Sequence, residues 1–266
     1  MKRFSRAKFF KGMNLTVFTF AMLFLYIPIL ILVIYSFNDA RIVTSWKGFT
    51  LKYYGQLFHN VAIRQAFLNT MLIAVLSTVI STLLGLLTAL GLENKKLKGR
   101  KGFMGLLYAP LVMPDILMGV SLALLFNFLR VNTGMWTVLI AHITFCVSYT
   151  VIVIQSRLEG FDNSLIEAAM DLGAKPSTTF FKVKLPLIMP GVIAAALLSF
   201  TLSIDDFIIT FFTSGRGFDT LPIYVEGTIR RGTITTINAL STLVIGLTLL
   251  LVVFTKRIRK SLISSF

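Results

Sequence analysis

The stretch NSLIEAAMDLGAKPSTTFFKVKLP, residues 163–186, decides the fold predicted for the whole chain. It is polar, carries both signs of charge and lies between two long apolar segments. Asp162 or Asn163 can cap a helix start, because a short side-chain oxygen accepts hydrogen bonds from the free amides of a first turn. Gly173 suits a left-handed helix end, and Pro176 suits the first position of the next helix. The stretch therefore predicts a helix, a glycine turn and a second short helix.

Apolar and small residues recur at three- and four-residue spacing in the first of these helices. They are Leu165, Ala168, Ala169 and Leu172. This spacing places them on one narrow face of a short helix. We expect a compact knob that exposes small alanine side chains on one face.

The same stretch resembles the EAA loop of ABC-importer permeases. That family's pattern is Glu-Ala-Ala, three residues, Gly, nine residues and Ile-x-Leu-Pro; Val183 stands here for the isoleucine. The matching residues are Glu167, Ala168, Ala169, Gly173, Leu185 and Pro186. The resemblance implies a cytoplasmic loop, about residues 157–186 and called the EAA loop below, that fits a cleft in a separate ATPase. A solvated amphipathic turn is the alternative, but the long residue-specific spacing argues against coincidence.

The composition is that of an integral membrane protein. Of the 266 residues, 56% are hydrophobic and only 14% are charged, against about 25% charged in an ordinary soluble domain. The net charge of +15 suggests nucleic acid, yet the basic residues stand at the ends of apolar runs, where they set topology. We therefore predict no nucleic-acid partner. The one cysteine, Cys146, stands inside an apolar run, so the sequence indicates neither a disulfide framework nor a metal-ligand cluster.

Six apolar runs are long enough to cross a bilayer, which needs about 20 residues. They are residues 15–37, 67–92, 103–129, 135–155, 187–212 and 234–254. A signal peptide is the alternative for the first run, but its apolar region is only about 7–15 residues long. The first run has 23 residues and ends on a poor cleavage site, so it is interpreted as a helix. The sequence predicts an all-α integral membrane protein with six transmembrane helices, folded as a single transmembrane permease domain over residues 1–266.

Charge along the chain predicts the orientation of these helices. Both termini of a six-span chain lie on the same side of the membrane. Of the 26 Lys and Arg residues, 18 fall on that side, four of them in the EAA loop, and eight fall on the opposite side. The positive-inside rule therefore places both termini and the EAA loop in the cytoplasm. This inference does not use the family resemblance, and the two agree.

Three carboxylates fall within the predicted spans, whereas no Lys or Arg does. They are Asp115, Asp205 and Asp206. A charge at the bilayer centre costs at least about 2.5–3.5 kcal/mol on insertion scales, and such residues usually face a cavity or a pathway. Negative groups without a positive partner favour a cationic substrate, or protons, over an anion.

Straight helices would place these carboxylates at different depths. Asp115 would lie about 18 Å and Asp205 about 27 Å from the cytoplasmic ends of their spans, giving two acidic levels about 9 Å apart for a flexible polycation. Adjacent residues point about 100° apart, so Asp205 and Asp206 face one pathway only if the helix is irregular there. Hydration at the outer interface is the alternative for these two residues. For Asp115, the alternative is capping of a helix that restarts after a break at Pro110–Pro114.

Other candidate residues carry weaker signals. Trp46, Tyr108 and Phe211 are candidate cation–π contacts for an amine in the substrate pathway, with packing or interfacial roles as the alternative. His142 is expected to be a hydrogen-bonded core residue rather than a ligand. The sequence contains no G-x-x-x-x-G-K-[ST] phosphate loop, so we do not expect this chain to hydrolyse ATP. We predict no catalytic residues and no metal site.

Beyond the EAA loop, the whole chain is similar to the spermidine/putrescine permeases of type I ABC importers. The similarity covers the six spans, YIPILILVIYSFND at residues 26–39 and LSIDDFIITFFTSG at residues 202–215. It implies a non-catalytic permease of the bacterial inner membrane that moves polyamines by alternating access. It implies no cofactor in this chain, because ATP and Mg would be bound by the partner ATPase.

The implied partners are a second homologous permease, two copies of an ABC ATPase, a periplasmic polyamine-binding protein and the lipid bilayer. An ABC permease for another solute, such as a sugar, an amino acid or a metal-ion complex, is the alternative within this class. A proton-coupled secondary transporter or channel, with the aspartates as relays, is the alternative from another class. It leaves the EAA loop unexplained.

Overall fold

A computed structural model describes residues 2–40, 45–93, 97–232 and 234–263 of the chain. These residues form helices, with one isolated β-bridge between Asn38 and Phe49 in the described part. The prediction of an all-helical chain is confirmed. The helices are α1 (Lys2–Tyr35), α2 (Lys52–His59), α3 (Val61–Leu92), α4 (Arg100–Val112), α5 (Asp115–Phe128), α6 (Met135–Glu159), α7 (Ser164–Asp171), α8 (Pro176–Thr179), a π-helical turn (Phe180–Lys184), α9 (Leu185–Asp205), α10 (Ile208–Thr213), α11 (Leu221–Arg230) and α12 (Ile234–Ile263).

Within the described residues, four helices are long and apolar enough to cross a membrane. They are α1 from Met13 onward, α3, α6 and the continuous helix Pro176–Asp205. The bent pair α4 and α5 would make a fifth. The last predicted span, residues 234–254, falls in α12, whose apolar part, Thr235–Leu250, is shorter. The count of six spans therefore stays a prediction.

The third predicted span, residues 103–129, is wrong as a straight helix. It is divided into α4 and α5, whose axes differ by 113°. Met113 has extended backbone, with φ −73° and ψ 136°, because a proline disfavours helical geometry in the residue before it. The helix restarts at Asp115, as the alternative for that residue predicted. The side chain of Asp115, however, makes no hydrogen bond to any of the described residues.

The fifth predicted span, residues 187–212, begins too late and is interrupted. Its helix starts at Pro176 and ends at Asp205, so the predicted second short helix of the EAA loop is the first part of a 30-residue helix. Asp206 then has extended backbone, with φ −66° and ψ 119°, and α10 restarts at Ile208.

A π-helical turn joins α8 to α9. The amide of Leu185 donates to the carbonyl of Phe180, five residues earlier. Pro186 follows, and it has no amide with which to close an α-helical bond to Lys182. The wider turn therefore lies where the α-helical ladder is already interrupted, as is usual for single π-helical turns inside helices.

The chain falls into two compact units, Met1–Val61 with Val225–Phe266, and Ala62–Tyr224. In the first unit, α12 packs against α1 and α2. The hydroxyl groups of Ser36 and Tyr54 lie 2.6 Å apart and tie α2 to the end of α1.

In the second unit, α6 packs along α9 and also contacts α4 and α10, and α10 packs on α5. A small residue also lets α3 approach α6 closely. A Cβ added to Gly85 of α3 would lie 2.2 Å from the hydroxyl oxygen of Thr150 in α6. The single cysteine, Cys146, is completely buried in the core cluster of this unit. Contacts through small residues are typical of helix packing in membranes.

Candidate functional site

A cavity of about 450 Å³ lies where the helices of the second unit are interrupted. Its lining residues come from α4, α5, α6, α9 and α10, and they include Asp115, Asp205 and Asp206. The neighbouring Asp205 and Asp206 both reach the cavity because the backbone leaves helical geometry at Asp206. This is the irregularity that the sequence analysis required. The depth estimated for Asp115 does not apply, because the break between α4 and α5 precedes it, whereas Asp205 ends an unbroken helix.

Three aromatic residues that the sequence analysis missed also line the cavity. They are Phe145, Tyr149 and Phe207. Phe145 and Tyr149 are four residues apart on α6, a spacing that places them on one face of the helix. That spacing was the available signal, but it does not reveal which neighbour the face meets.

The aromatic residues named from the sequence lie elsewhere in the described structure. Tyr108 on α4 is 43% exposed and Phe211 on α10 is 53% exposed, and neither is among the lining residues. Trp46 belongs to the first compact unit, where its ring packs edge-on against Tyr35 at a centroid distance of 6.3 Å. A pathway role for these three residues stays a prediction.

The three carboxylates differ in their surroundings. Asp206 Oδ2 accepts hydrogen bonds from the amide and the hydroxyl of Thr210, at 2.8 and 2.7 Å, and Oδ1 accepts from the amide of Ile209 at 3.2 Å. This carboxylate therefore caps the first turn of α10. The carboxylates of Asp115 and Asp205 are exposed and make no hydrogen bond or ion pair within the described chain.

His142 of α6 lies directly behind this cap. Its side chain is 1% exposed, with Nδ1 2.7 Å from the Ser203 hydroxyl and Nε2 2.8 Å from the Thr210 hydroxyl. Nε2 also lies 3.3 Å from Asp206 Oδ2. The prediction of a hydrogen-bonded core histidine is confirmed. In the part of the chain that is described, no three His, Cys, Asp or Glu side chains are placed to hold a metal ion.

The EAA loop is ordered by backbone hydrogen bonds at the end of α7. The amide of Ala174 donates to the carbonyl of Ala169 at 3.1 Å, and the amide of Gly173 donates to the carbonyl of Met170 at 2.9 Å. Gly173 has φ +84°. This is a Schellman motif, in which glycine takes the left-handed position without steric cost. The predicted left-handed helix end is confirmed.

The start of α7 is held by Asp162 rather than Asn163. Asp162 Oδ1 accepts a hydrogen bond from the amide of Ser164 at 2.9 Å, whereas Asn163 makes no side-chain cap. This backbone hydrogen bond holds the pKa of Asp162 below its ordinary value. Pro176 occupies the first position of α8, as predicted.

The outer surface of α7 is partly apolar. Leu172 is 90% exposed and Leu165 is 45% exposed. Glu167 and Ala168 are also exposed, whereas Ala169 is half-buried. Apolar side chains exposed together on an otherwise polar segment are typical of an interaction surface.

The base of the EAA loop is tied to the membrane-spanning helices. Leu185 packs against the core cluster formed by α3, α6 and α9, and Pro186 is exposed at the start of α9. Lys184 Nζ lies 2.6 Å from Glu93 Oε2, just beyond the end of α3, and 5.8 Å from the centre of the Phe161 ring. The loop is therefore joined to two neighbouring segments as well as to α9.

Comparison with known proteins relates the chain to transport systems. Residues 81–264 match the family described as binding-protein-dependent transport system inner membrane component. The chain is 41% identical over 237 residues to the spermidine/putrescine transport system permease protein PotC of Haemophilus influenzae, covering 89% of this chain and 92% of the relative. It is 45% identical over 230 residues to the putrescine transport system permease protein PotI of Escherichia coli K12, covering 84% and 82%.

Two solved structures share the fold. A bacterial ABC transporter involved in the import of the acidic polysaccharide alginate has a TM-score of 0.75 and 19% identity, covering 94% of this chain and 96% of that chain. The alginate transporter in complex with an alginate pentasaccharide-bound periplasmic protein has a TM-score of 0.64 and 18% identity, covering 93% and 94%. At this level of identity, the likeness concerns the fold alone.

Proposed function

We propose that this chain, which belongs to the family of binding-protein-dependent transport system inner membrane components, is the permease subunit of a polyamine importer. The observation that carries the proposal is the cavity that Asp115, Asp205 and Asp206 line together. Lys and Arg are absent from its described lining residues. Such a cavity favours a cation and disfavours an anion. The relatives described above are named for spermidine and putrescine, which are flexible polycations.

Asp115 and Asp205 are the proposed contacts for the substrate's ammonium groups. Both carboxylates are exposed and lack a partner among the described residues, so both can accept charge-assisted hydrogen bonds. Tyr149, Phe145 and Phe207 supply aromatic surface beside them. Aromatic faces bind both the methylene groups and the charged ends of an alkylamine.

The EAA loop is the proposed docking site for the ATPase. Its exposed surface on α7, around Leu165, Ala168 and Leu172, offers an apolar patch that a cleft can enclose. The helix that starts at Pro176 continues without interruption to Asp205 at the cavity. A displacement of the loop would therefore move one end of a helix whose other end lines the transport pathway.

The proposed assembly rests on the resemblance to ABC-importer permeases and is supported by these two surfaces. It contains this chain, a second homologous permease that completes the pathway, two copies of an ABC ATPase and a periplasmic polyamine-binding protein. This chain would cross the inner membrane six times, through α1, α3, the α4–α5 pair, α6, α9 and α12, with both termini in the cytoplasm. ATP and Mg would be bound by the ATPase, and this chain would have no catalytic residues.

Transport by the purified complex in vesicles, with a panel of amines and a sugar and an amino acid as controls, tests the proposal. We expect saturable uptake of spermidine or putrescine that requires ATP and the loaded binding protein. Uptake of the sugar or the amino acid instead would overturn the polyamine assignment and leave the ABC permease intact. Uptake that survives ATP depletion but is abolished by a proton uncoupler would overturn both.

A further inference from the structure

Five polar side chains form one continuous hydrogen-bonded chain behind the cavity. Successive oxygen and nitrogen atoms lie 3.0, 2.7, 2.8 and 2.7 Å apart. The first four residues are at most 3% exposed. In order, the five residues are Ser77 of α3, Ser203 of α9, His142 of α6, Thr210 of α10, and Asp206 at the break between α9 and α10.

Counting the available hydrogens shows which group donates and which accepts at each step of this hydrogen-bonded chain. The Thr210 hydroxyl has one hydrogen, which it donates to Asp206 Oδ2, a group that only accepts when ionised. Thr210 must then accept from His142, so Nε2 carries a hydrogen. Ser77 donates to Ser203, and the Ser203 hydroxyl keeps its own hydrogen for Nδ1.

We propose that His142 is a positioning residue for transport. Its Nε2–H holds Thr210, and Thr210 holds the Asp206 carboxylate that caps α10 and fixes the helix break. Asp205 enters the cavity at this break. The two adjacent aspartates therefore have different roles, because Asp206 orders the backbone and Asp205 faces the substrate. This inference rests on the proposed function, since it takes Asp205 as a contact of the transported cation.

The geometry favours positioning over the other two roles of a buried histidine. A space-filling role needs only an apolar ring, whereas here both ring nitrogens are hydrogen-bonded, and an apolar ring would leave their buried partners unpaired. Conduction of protons needs a connection to water at both ends. Ser77, at the far end, is completely buried.

Two substitutions at His142 test the two halves of the hydrogen-bonded chain separately. The amide of glutamine extends to about the position of Nε2, so His142→Gln keeps a donor for Thr210. The amide of asparagine extends only to about the position of Nδ1, so His142→Asn keeps the partner of Ser203 and abandons Thr210. We expect His142→Gln to leave the KM for polyamine uptake within about threefold of the parent, and His142→Asn to raise it about tenfold. Both complexes should assemble and unfold at similar temperatures.

His59 provides the matched control, because it is the other histidine of the chain and is exposed on α2. His59→Gln and His59→Asn should both leave the KM unchanged. Equal losses at His142, accompanied by a lower unfolding temperature, would make the residue a packing element and overturn the proposal. The proposal would also be overturned if both variants kept the KM of the parent, or if His142→Asn transported better than His142→Gln. If the parent complex carries a different solute, the proposed function fails, and the order of the variants measured with that solute still tests His142.

Discussion

The Asp205 carboxylate has no partner among the described residues, whereas both oxygens of the neighbouring Asp206 carboxylate accept hydrogen bonds. Removing the charge of Asp205 should therefore affect the substrate more than the protein. We predict that Asp205→Asn raises the KM for spermidine about tenfold or more, the value expected when a hydrogen bond to a charged group is lost. Initial uptake rates over a range of spermidine concentrations measure this change.

Asp219→Asn is the matched control for Asp205, because Asp219 lies in the same unit and outside the cavity lining. It should transport like the parent. An unchanged KM in Asp205→Asn, with the complex assembled, would remove Asp205 from the pathway. Asp115→Asn tests the second exposed carboxylate in the same way.

Two glycines of α3 differ in what a side chain would meet. At Gly85 an added Cβ would lie 2.2 Å from Thr150 Oγ1, whereas at Gly91 nothing lies within 4 Å in the described structure. We predict that Gly85→Ala destabilises the protein by about 1–3 kcal/mol, as overpacking usually does. Gly91→Ala should be neutral or stabilise it by about 0.5–1 kcal/mol. Thermal unfolding in detergent compares them, and equal melting temperatures would contradict the close approach of α3 to α6.

The identities of the intramembrane carboxylates could be predicted from the sequence, but their grouping could not. An ionisable residue inside an apolar run is visible in the sequence itself. That Asp115, Asp205 and Asp206 line one cavity depends on a 113° bend and on an extended residue in mid-chain. The bend lies at Pro114, and the extended residue carries the local Asp206 cap, which His142 of α6 reaches through Thr210. Phe145 and Tyr149 were missed for the same reason.

At the scale of the element, Gly173 links the structure of the EAA loop to its proposed role. Its φ of +84° is unfavourable for other residues, by about 1–2 kcal/mol, and proline there would also lose the hydrogen bond to Met170. We predict that Gly173→Pro abolishes uptake while the chain still inserts and the ATPase still hydrolyses ATP. Gly160→Ala, at a negative φ in open space, is the control. Coupled uptake by Gly173→Pro would argue against docking through α7.

The ion pair between Lys184 and Glu93 joins the π-helical turn to α3. We predict that Lys184→Glu and Glu93→Lys each lower the rate of uptake severalfold, because like charges then face each other. The double variant that exchanges the two charges should recover most of the parent rate. A double-mutant cycle on uptake, with the amount of assembled complex measured for each variant, provides the test. Additive losses would mean that the pair does not couple the two helices.

Local signals predicted α7 well and the next helix poorly. The Schellman motif needs only a glycine after a periodic run, so the sequence is sufficient to place it. The sequence analysis placed Lys182 and Lys184 in the EAA loop, whose second short helix was expected to be separate from the span that starts at residue 187. In the structure this segment continues as helix, because Glu93 pairs with Lys184 and Leu185 packs into the core.

At the scale of the whole molecule, the orientation predicted from charge can be tested with fused reporters. We predict that a green fluorescent reporter fused after Phe266 is fluorescent, because that end would lie in the cytoplasm where the reporter folds. The same reporter fused after Gly217 should be dark, and an alkaline phosphatase fused there should be active. The reverse pattern would place the EAA loop outside the cell, beyond the reach of any ATPase.

The family and the membrane-spanning class could be predicted from long spacing and apolar length, which are properties of the chain alone. The number of spans could not be confirmed in the same way. The apolar part of α12, Thr235–Leu250, is short, and α4 and α5 form one span only if their bend is counted within it. Length and hydropathy do not reveal such bends, because a bend depends on the backbone conformation of single residues.

The burial of Cys146 has a practical consequence. It is the single thiol of the chain and has no exposed surface, so water-soluble maleimides should leave the native protein unlabelled. A cysteine introduced in place of Leu172, which is 90% exposed, would then be the one reactive position of this subunit. Attached spin labels or fluorophores would report the movement of α7 during each cycle of ATP hydrolysis, without prior removal of a native thiol.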